Sequence, residues 1–337
     1  MTIKDIAKQC NVSVSTVSRV LNDRPDVSED VRRKVLSAIK NSNYIPNNSA
    51  RDLVRTKSDA VGLVVRGVSN PFYTDIIRAI ERTITDAGFT MVMQQIGTCD
   101  DEVKCGAVME REKRLQGIVF LGGRFDYTPA DLAMLNVPFV CCSYSNRYGT
   151  LIEGEYSSVS IADGDTAQQA VEELYRHGHR RIAALISRPN DQSISQLRYE
   201  GYVQALESHG IPVDPELVIS TGGFSAKDAY RAVQEKMAEN VDFTALFAIA
   251  DSMAIGAMRA LMDAGRRIPE DCSVIAIDGL ELSAYIEPPL TTLCQPMEEM
   301  GRRSAEILLD MVQHKGSHAC ELLPPTLRQG RSVAAPR

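Results

Sequence analysis

From residue 60 onward short apolar runs alternate with longer amphipathic stretches, and no other feature restricts the fold so strongly. "AVGLVV" (60–65), "FTMVMQQI" (89–96), "GIVFLG" (117–122) and "PFVCC" (138–142) read as strands. Amphipathic segments at 74–87, 100–115 and 129–136 lie between them. The alternation resumes with "RIAALI" (181–186), "ALFAIA" (245–250) and "SVIAID" (273–278). Unbroken apolar strands separated by helices must be covered on both faces, which predicts doubly wound parallel sheets. About 280 residues exceed one comfortable lobe, so two are expected.

Open α/β sheets bind ligands beyond the carboxyl ends of their strands. Several polar segments fall there: "RGVSNPFY" after the first strand, "SYSNR" after "PFVCC", "DSMAIG" after "ALFAIA", and "DGLE" after "SVIAI". Gln295 follows a short strand near Thr292, while Arg198 and Phe224 lie on intervening segments. Asp251, directly after a strand, reads as a helix cap.

Residues 1–58 have a different character. They hold eleven Lys/Arg against six Asp/Glu, a balance of +5, so the remainder carries −12 of the net −7. A small basic head on an acidic body points to a polyanion at the head alone. Thr2 and Asp5 form a capping-box pattern for a first helix with Ile3, Ile6 and Ala7 inward. Asn11 ends that helix, and Ser13 caps a second whose inner stripe reads as Val14, Val17 and Leu21. Ser28 caps a third, with Val31, Val35, Ala38 and Ile39 buried. This is a helix-turn-helix head. The outer face of the second helix shows Ser15, Thr16, Ser18, Arg19 and Asn22, short or hydrogen-bonding groups that let a backbone approach base edges in the major groove. Arg19 suits a guanine and Val14 a thymine methyl. Thr2 opens the first helix, and Lys4, Arg32, Arg33 and Lys34 are placed for phosphates.

The segment "YIPNNSARDLVRTKS" (44–58) holds room for about two helical turns, too few to be stable alone in water. "TIKDIAKQCNVSVSTVSRVLN", "YIPNNSARDL" and "ADSMAIGAMRAL" closely resemble the LacI/GalR family of bacterial transcription regulators, along essentially the whole chain. The resemblance implies a helix-turn-helix head (1–45), a hinge helix and linker (46–58), and a two-lobed, periplasmic-binding-protein-like body (59–337) with three crossovers. It adds Asn48, Ala50, Arg51 and Leu53 to the DNA-contacting set. Leu53 is to be wedged into the minor groove from each subunit of a homodimer. It also matches Phe72, Ser143, Arg198, Phe224, Asp278 and Gln295 to effector-contacting positions. A carboxylate and a guanidinium beside aromatic walls suit a hydroxyl-rich ligand, a sugar or sugar derivative. Three positions depart from the sugar-responsive pattern: Ser143 where Asp is frequent, Ala250 where Asn is common, and Gly279 after Asp278.

Catalysis has little support, with no P-loop, no H-E-x-x-H and no G-x-S-x-G. "HGH" (177–179) reads as a polar cap and turn. Eight scattered cysteines without a C-x-x-C pair predict reduced, mostly buried thiols rather than a metal site. No cofactor is expected. The absence of a long apolar run and of an apolar leader predicts a cytoplasmic protein without membrane contact. The expected function is therefore binding of double-stranded operator DNA, switched by a small molecule, in control of a catabolic, carbohydrate-related operon. The alternative keeps the head and makes the body a dock for a protein co-effector such as a phosphorylated carrier protein. A transport-type binding protein is a further rival, opposed by the basic head.

Overall fold

A computed structural model describes residues 2–21, 24–42, 58–67, 71–98, 100–190 and 192–337. It divides into compact units ending at Ser58 and beginning at Asp59.

The first unit holds α1 (Ile3–Cys10), α2 (Val14–Leu21) and α3 (Glu29–Asn41). The Thr2–Asp5 capping box forms as the sequence predicts, and Asn11 ends α1 in the left-handed region at φ 52°. Ser13 accepts from the Thr16 amide at 3.1 Å, capping α2. Two expectations need correction. The buried residues of α2 are Val17 and Val20, while Val14 remains 40% exposed. Ser28 stands at the start of α3 but its side chain makes no capping hydrogen bond. The core is Ile6, Ala7, Cys10, Val17, Val20, Val35 and Ala38, with Val31 and Ile39 packed at its edge.

The second unit contains two six-stranded sheets. The amino-terminal lobe is built from β1 (Ala60–Arg66), α4 (Tyr73–Asp86), β2 (Thr90–Ile96), α5 (Glu102–Lys113), β3 (Gly117–Leu121), α6 (Pro129–Leu132), β4 (Phe139–Cys142) and β5 (Ser158–Ser160). The carboxyl-terminal lobe follows with α7 (Asp163–Arg176), β6 (Ile182–Ile186), α8 (Ile194–Ser208), β7 (Val218–Ser220), α9 (Ala226–Ala238), β8 (Ala245–Ala248), α10 (Asp251–Asp263), β9 (Ser273–Asp278) and β10 (Thr291–Cys294). Then α11 (Met297–His314) and β11 (Cys320–Leu322) return to the first lobe, and β12 (Thr326–Arg328) to the second. The chain thus crosses between lobes three times. The sheet orders are β11-β5-β4-β3-β1-β2 and β12-β10-β9-β8-β6-β7. Pairing is parallel except between β10 and β12. Central strands β1, β3, β8 and β9 are buried along almost their whole length, as a sheet covered on both faces requires.

The segment expected to be helical over 129–136 forms only the single turn Pro129–Leu132. His177 caps the end of α7, as the sequence reading has it, and Gly178 turns the chain at φ +100°. His179 is buried, bonded to the Thr244 hydroxyl and the Ala334 carbonyl at 2.9 Å each. Cys10, Cys141, Cys142 and Cys272 are buried; only Cys320 is exposed among the described cysteines. No helix among the described residues is long and apolar enough to cross a membrane.

Candidate functional site

Each unit carries one candidate surface. In the head, α2 turns Val14, Ser15 and Arg19 outward, with Thr16 and Ser18 half-buried beside them. The Ser13 hydroxyl shares hydrogen bonds with those of Ser15 and Thr16 at 2.7 and 2.8 Å, so the start of α2 presents a linked hydroxyl cluster. Arg19 reaches Asp26 at 3.6 Å, an exposed pair of the kind that is worth little in water and readily exchanged. Thr2 and Lys4 are exposed at the start of α1. Asn22, Asn48, Ala50, Arg51 and Leu53 lie outside the described residues.

In the body, strand ends and helix starts bring four polar side chains into one buried array. Asp278 closes β9, Arg198 stands on the inner face of α8, and Gln295 follows β10. Asp163, the first residue of α7, completes the set and was not singled out from the sequence. A lone Asp before "GDTAQQAV" looks like any first-turn acid, so only three-dimensional proximity reveals it. Arg198 donates through Nε to Asp163 Oδ1 at 3.0 Å and through Nη1 to Asp278 Oδ1 at 3.3 Å. Gln295 Nε2 donates to the same Asp278 oxygen at 2.8 Å. All four residues are almost completely buried. Asp278 Oδ2 is buried with no hydrogen-bond partner. An unsatisfied carboxylate oxygen in such a place costs stability, which makes it a candidate acceptor for a ligand hydroxyl.

Burial governs the electrostatics. It pushes the Asp278 carboxyl up to about 7, against the pull of Arg198, and Asp251 adds repulsion. Burial also raises Asp163, partly offset by Arg198. The guanidinium stays charged because two carboxylates more than offset its own desolvation.

The other predicted cleft residues are placed differently. Phe72 is a core side chain, 3% exposed, its ring tilted at 54° against that of Tyr73 with centroids 5.6 Å apart. Tyr73 is the aromatic group that feels both Arg198 and Asp278, and burial pushes its phenol up to about 12, so it acts as a neutral hydroxyl. Its oxygen lies against Gly122, where a Cβ would come within 2.5 Å. Ser143 is buried at φ 55°, its amide bonded to the Val159 carbonyl at 2.9 Å. Phe224 packs at the edge of the core, and its carbonyl accepts from the Ser252 hydroxyl at 2.8 Å. The structure therefore joins Arg198, Asp278 and Gln295 directly. Phe72, Ser143 and Phe224 make no hydrogen bond or ring contact with those three among the described residues.

Asp251 also needs correction. It is the first residue of α10, but its carboxylate accepts from the loop after β9 rather than from its own helix.

A basic helix-turn-helix head followed by a two-lobed α/β body is the layout of a DNA-binding transcription regulator. The pattern for bacterial regulatory proteins of the lacI family matches residues 2–47, and that for a periplasmic binding protein-like domain matches residues 171–333. The chain is 39% identical over 331 residues to the HTH-type transcriptional regulator MalR of Clostridium butyricum, covering 97% of each. Among solved structures it superposes on the transcriptional regulator CelR–cellobiose complex with a TM-score of 0.73 at 31% identity, covering 99% and 100%. On the lac repressor dimer bound to operator and the anti-inducer ONPF the TM-score is 0.79 at 27% identity, covering 99% of each. The chain belongs to the LacI family. It is a transcription regulator and not an enzyme.

Proposed function

We propose that the protein is a homodimeric repressor of a catabolic operon whose operator affinity is set by a neutral, hydroxyl-rich small molecule in the cleft of the body. The observation that carries this reading is the Asp163–Arg198–Asp278–Gln295 array with its unpartnered Asp278 Oδ2. One guanidinium between two carboxylates offers donors and acceptors side by side, matching the paired donor and acceptor capacity of sugar hydroxyls. The likeness to a regulator solved with cellobiose supports the same ligand class. In the head, Val14, Ser15, Thr16, Ser18, Arg19 and Asn22 are the proposed major-groove contacts, with Thr2 and Lys4 at phosphates. Asn48, Ala50, Arg51 and Leu53 form the proposed hinge contacts in the minor groove. Dimerisation is supported by the likeness to the lac repressor solved as a dimer on operator DNA.

The test is calorimetry with a panel of neutral mono- and disaccharides on wild type and Asp278→Ala. A saccharide that binds wild type and not the variant supports the reading. Saccharide binding that survives Asp278→Ala contradicts it, and binding of a phosphorylated carrier protein without any saccharide favours the protein co-effector instead.

A further inference from the structure

The buried carboxylate of Asp251 makes no hydrogen bond to the array above, yet it is itself heavily engaged. Its Oδ2 accepts from the Gly279 amide (3.1 Å), the Leu280 amide (2.8 Å) and the Ser283 hydroxyl (2.7 Å), and Oδ1 accepts from the Thr292 hydroxyl. From the other side Arg328 donates to the carbonyls of Gly279 (3.5 Å) and Leu280 (3.1 Å) and to the Ser283 hydroxyl. The loop after β9 is thus gripped by its N–H groups and by its C=O groups at once.

That grip matters because of what precedes it. Asp278 sits at φ +138° and Gly279 at φ +81°, a pair of conformations that an L residue at 278 does not hold without external support. A side chain at 279 would also collide with Cys294, its Cβ falling 2.5 Å from the sulfur. The next residues of β9 and β10 pair in register, Asp278 opposite Cys294.

We infer that Asp251 is a positioning residue for the cleft: by fixing Gly279, Leu280 and Ser283 it holds Asp278 in the backbone conformation that aims its carboxylate at Arg198 and Gln295. The inference rests on the cleft reading for its function but not for its geometry. It goes beyond a helix cap, because the amides that Asp251 satisfies belong to the loop carrying Asp278 and not to α10.

The readout is the titration midpoint of Asp278, followed by carboxyl carbon NMR of the full-length chain. The charged and titratable groups facing Asp278 are Arg198, Asp251, Tyr73 and the Cys294 thiol opposite it on β10, with Asp163 behind Arg198 and Arg328 behind Asp251. Burial is the largest cause of the raised midpoint, so a loosened loop that admits water lowers it toward the ordinary carboxylate range. Asp251→Asn lowers it through lost repulsion as well. Ser283→Ala and Thr292→Val keep every formal charge and remove one anchor each, and both remain informative if Asp251→Asn does not fold. Each also removes a hydrogen bond that favours the Asp251 carboxylate, so the Asp251 midpoint is followed in the same spectra, and a lowered Asp278 midpoint with Asp251 still ionised reports geometry. A wild-type midpoint in both neutral variants would overturn the inference. Asp278→Asn, tested for operator release with cellobiose and ribose as probes, separates the two questions: a retained response there defeats the cleft reading and leaves the Asp251 geometry standing.

Discussion

At the scale of single residues, the fate of the nearly inaccessible Arg198 guanidinium is decided by its two carboxylates. Arg198→Ala leaves Asp163 and Asp278 facing each other in a desolvated space, so it should cost about 3–5 kcal/mol of stability, read by urea unfolding. Asp278→Asn should act in the opposite sense near neutral pH. The folded-state midpoint of about 7 lies above the value of roughly 3.9 for an unfolded Asp, so the native state binds more protons than the unfolded state between those limits. Stability therefore falls as pH rises from about 4 to 7, and the asparagine variant should lose less over that window than wild type. Equal pH profiles from urea melts at pH 5 and 7.5 would show that Asp278 is not held this way. The sequence made Arg198, Asp278 and Gln295 legible because their strand-end or helix-face positions match a family pattern. Asp163 was illegible because nothing local distinguishes a first-turn acid that caps from one that reaches another helix.

At the scale of elements, close approach of helices and exposure of the α2 face each give a direct test. Helices α7 and α8 meet where Gly201 lies over Gly164; a Cβ at 201 would come 2.1 Å from the Gly164 carbonyl oxygen and 2.9 Å from Ala167. Gly201→Ala should thus destabilise by about 1–3 kcal/mol through overpacking, seen as a lowered Tm. On α2, Arg19→Ala should cost about 1–3 kcal/mol at one symmetric base pair, whereas Lys4→Ala should weaken all DNA equally and flatten the salt dependence by about one ion. Anisotropy on cognate, single-substituted and random duplexes distinguishes the two; equal losses on every duplex for Arg19→Ala would assign it to a phosphate. Long, strongly patterned strands were readable along the chain. The three-residue strands β5, β7, β11 and β12 were not, since three residues define no period. The inner stripe of α2 was misjudged at one end, because in so short a helix Val14 stands before the first full turn that meets α1 and α3. Its exposure leaves its methyl groups available to the groove.

At the scale of the whole molecule, the proposed function couples a basic head to a ligand-binding body through residues 46–58. Leu53→Ala should lower operator affinity sharply and reduce DNA bending while leaving random-DNA affinity nearly unchanged, because an apolar wedge unstacks one base step. Gel mobility of a bent-operator series reads the bending, and an unchanged bend with unchanged affinity would make Leu53 a linker residue. The central claim, however, is that the cleft governs DNA affinity, and linkage supplies its most direct test. A saccharide that binds the cleft must change operator affinity by the same factor by which operator DNA changes saccharide affinity. The decisive measurement is therefore both halves of that cycle at one fixed salt: operator affinity with and without saturating saccharide, and saccharide affinity with and without saturating operator. Matching factors in the range of about 5–150, both lost in Asp278→Ala, are the predicted result. Saccharide affinity that is indifferent to bound operator would contradict the account.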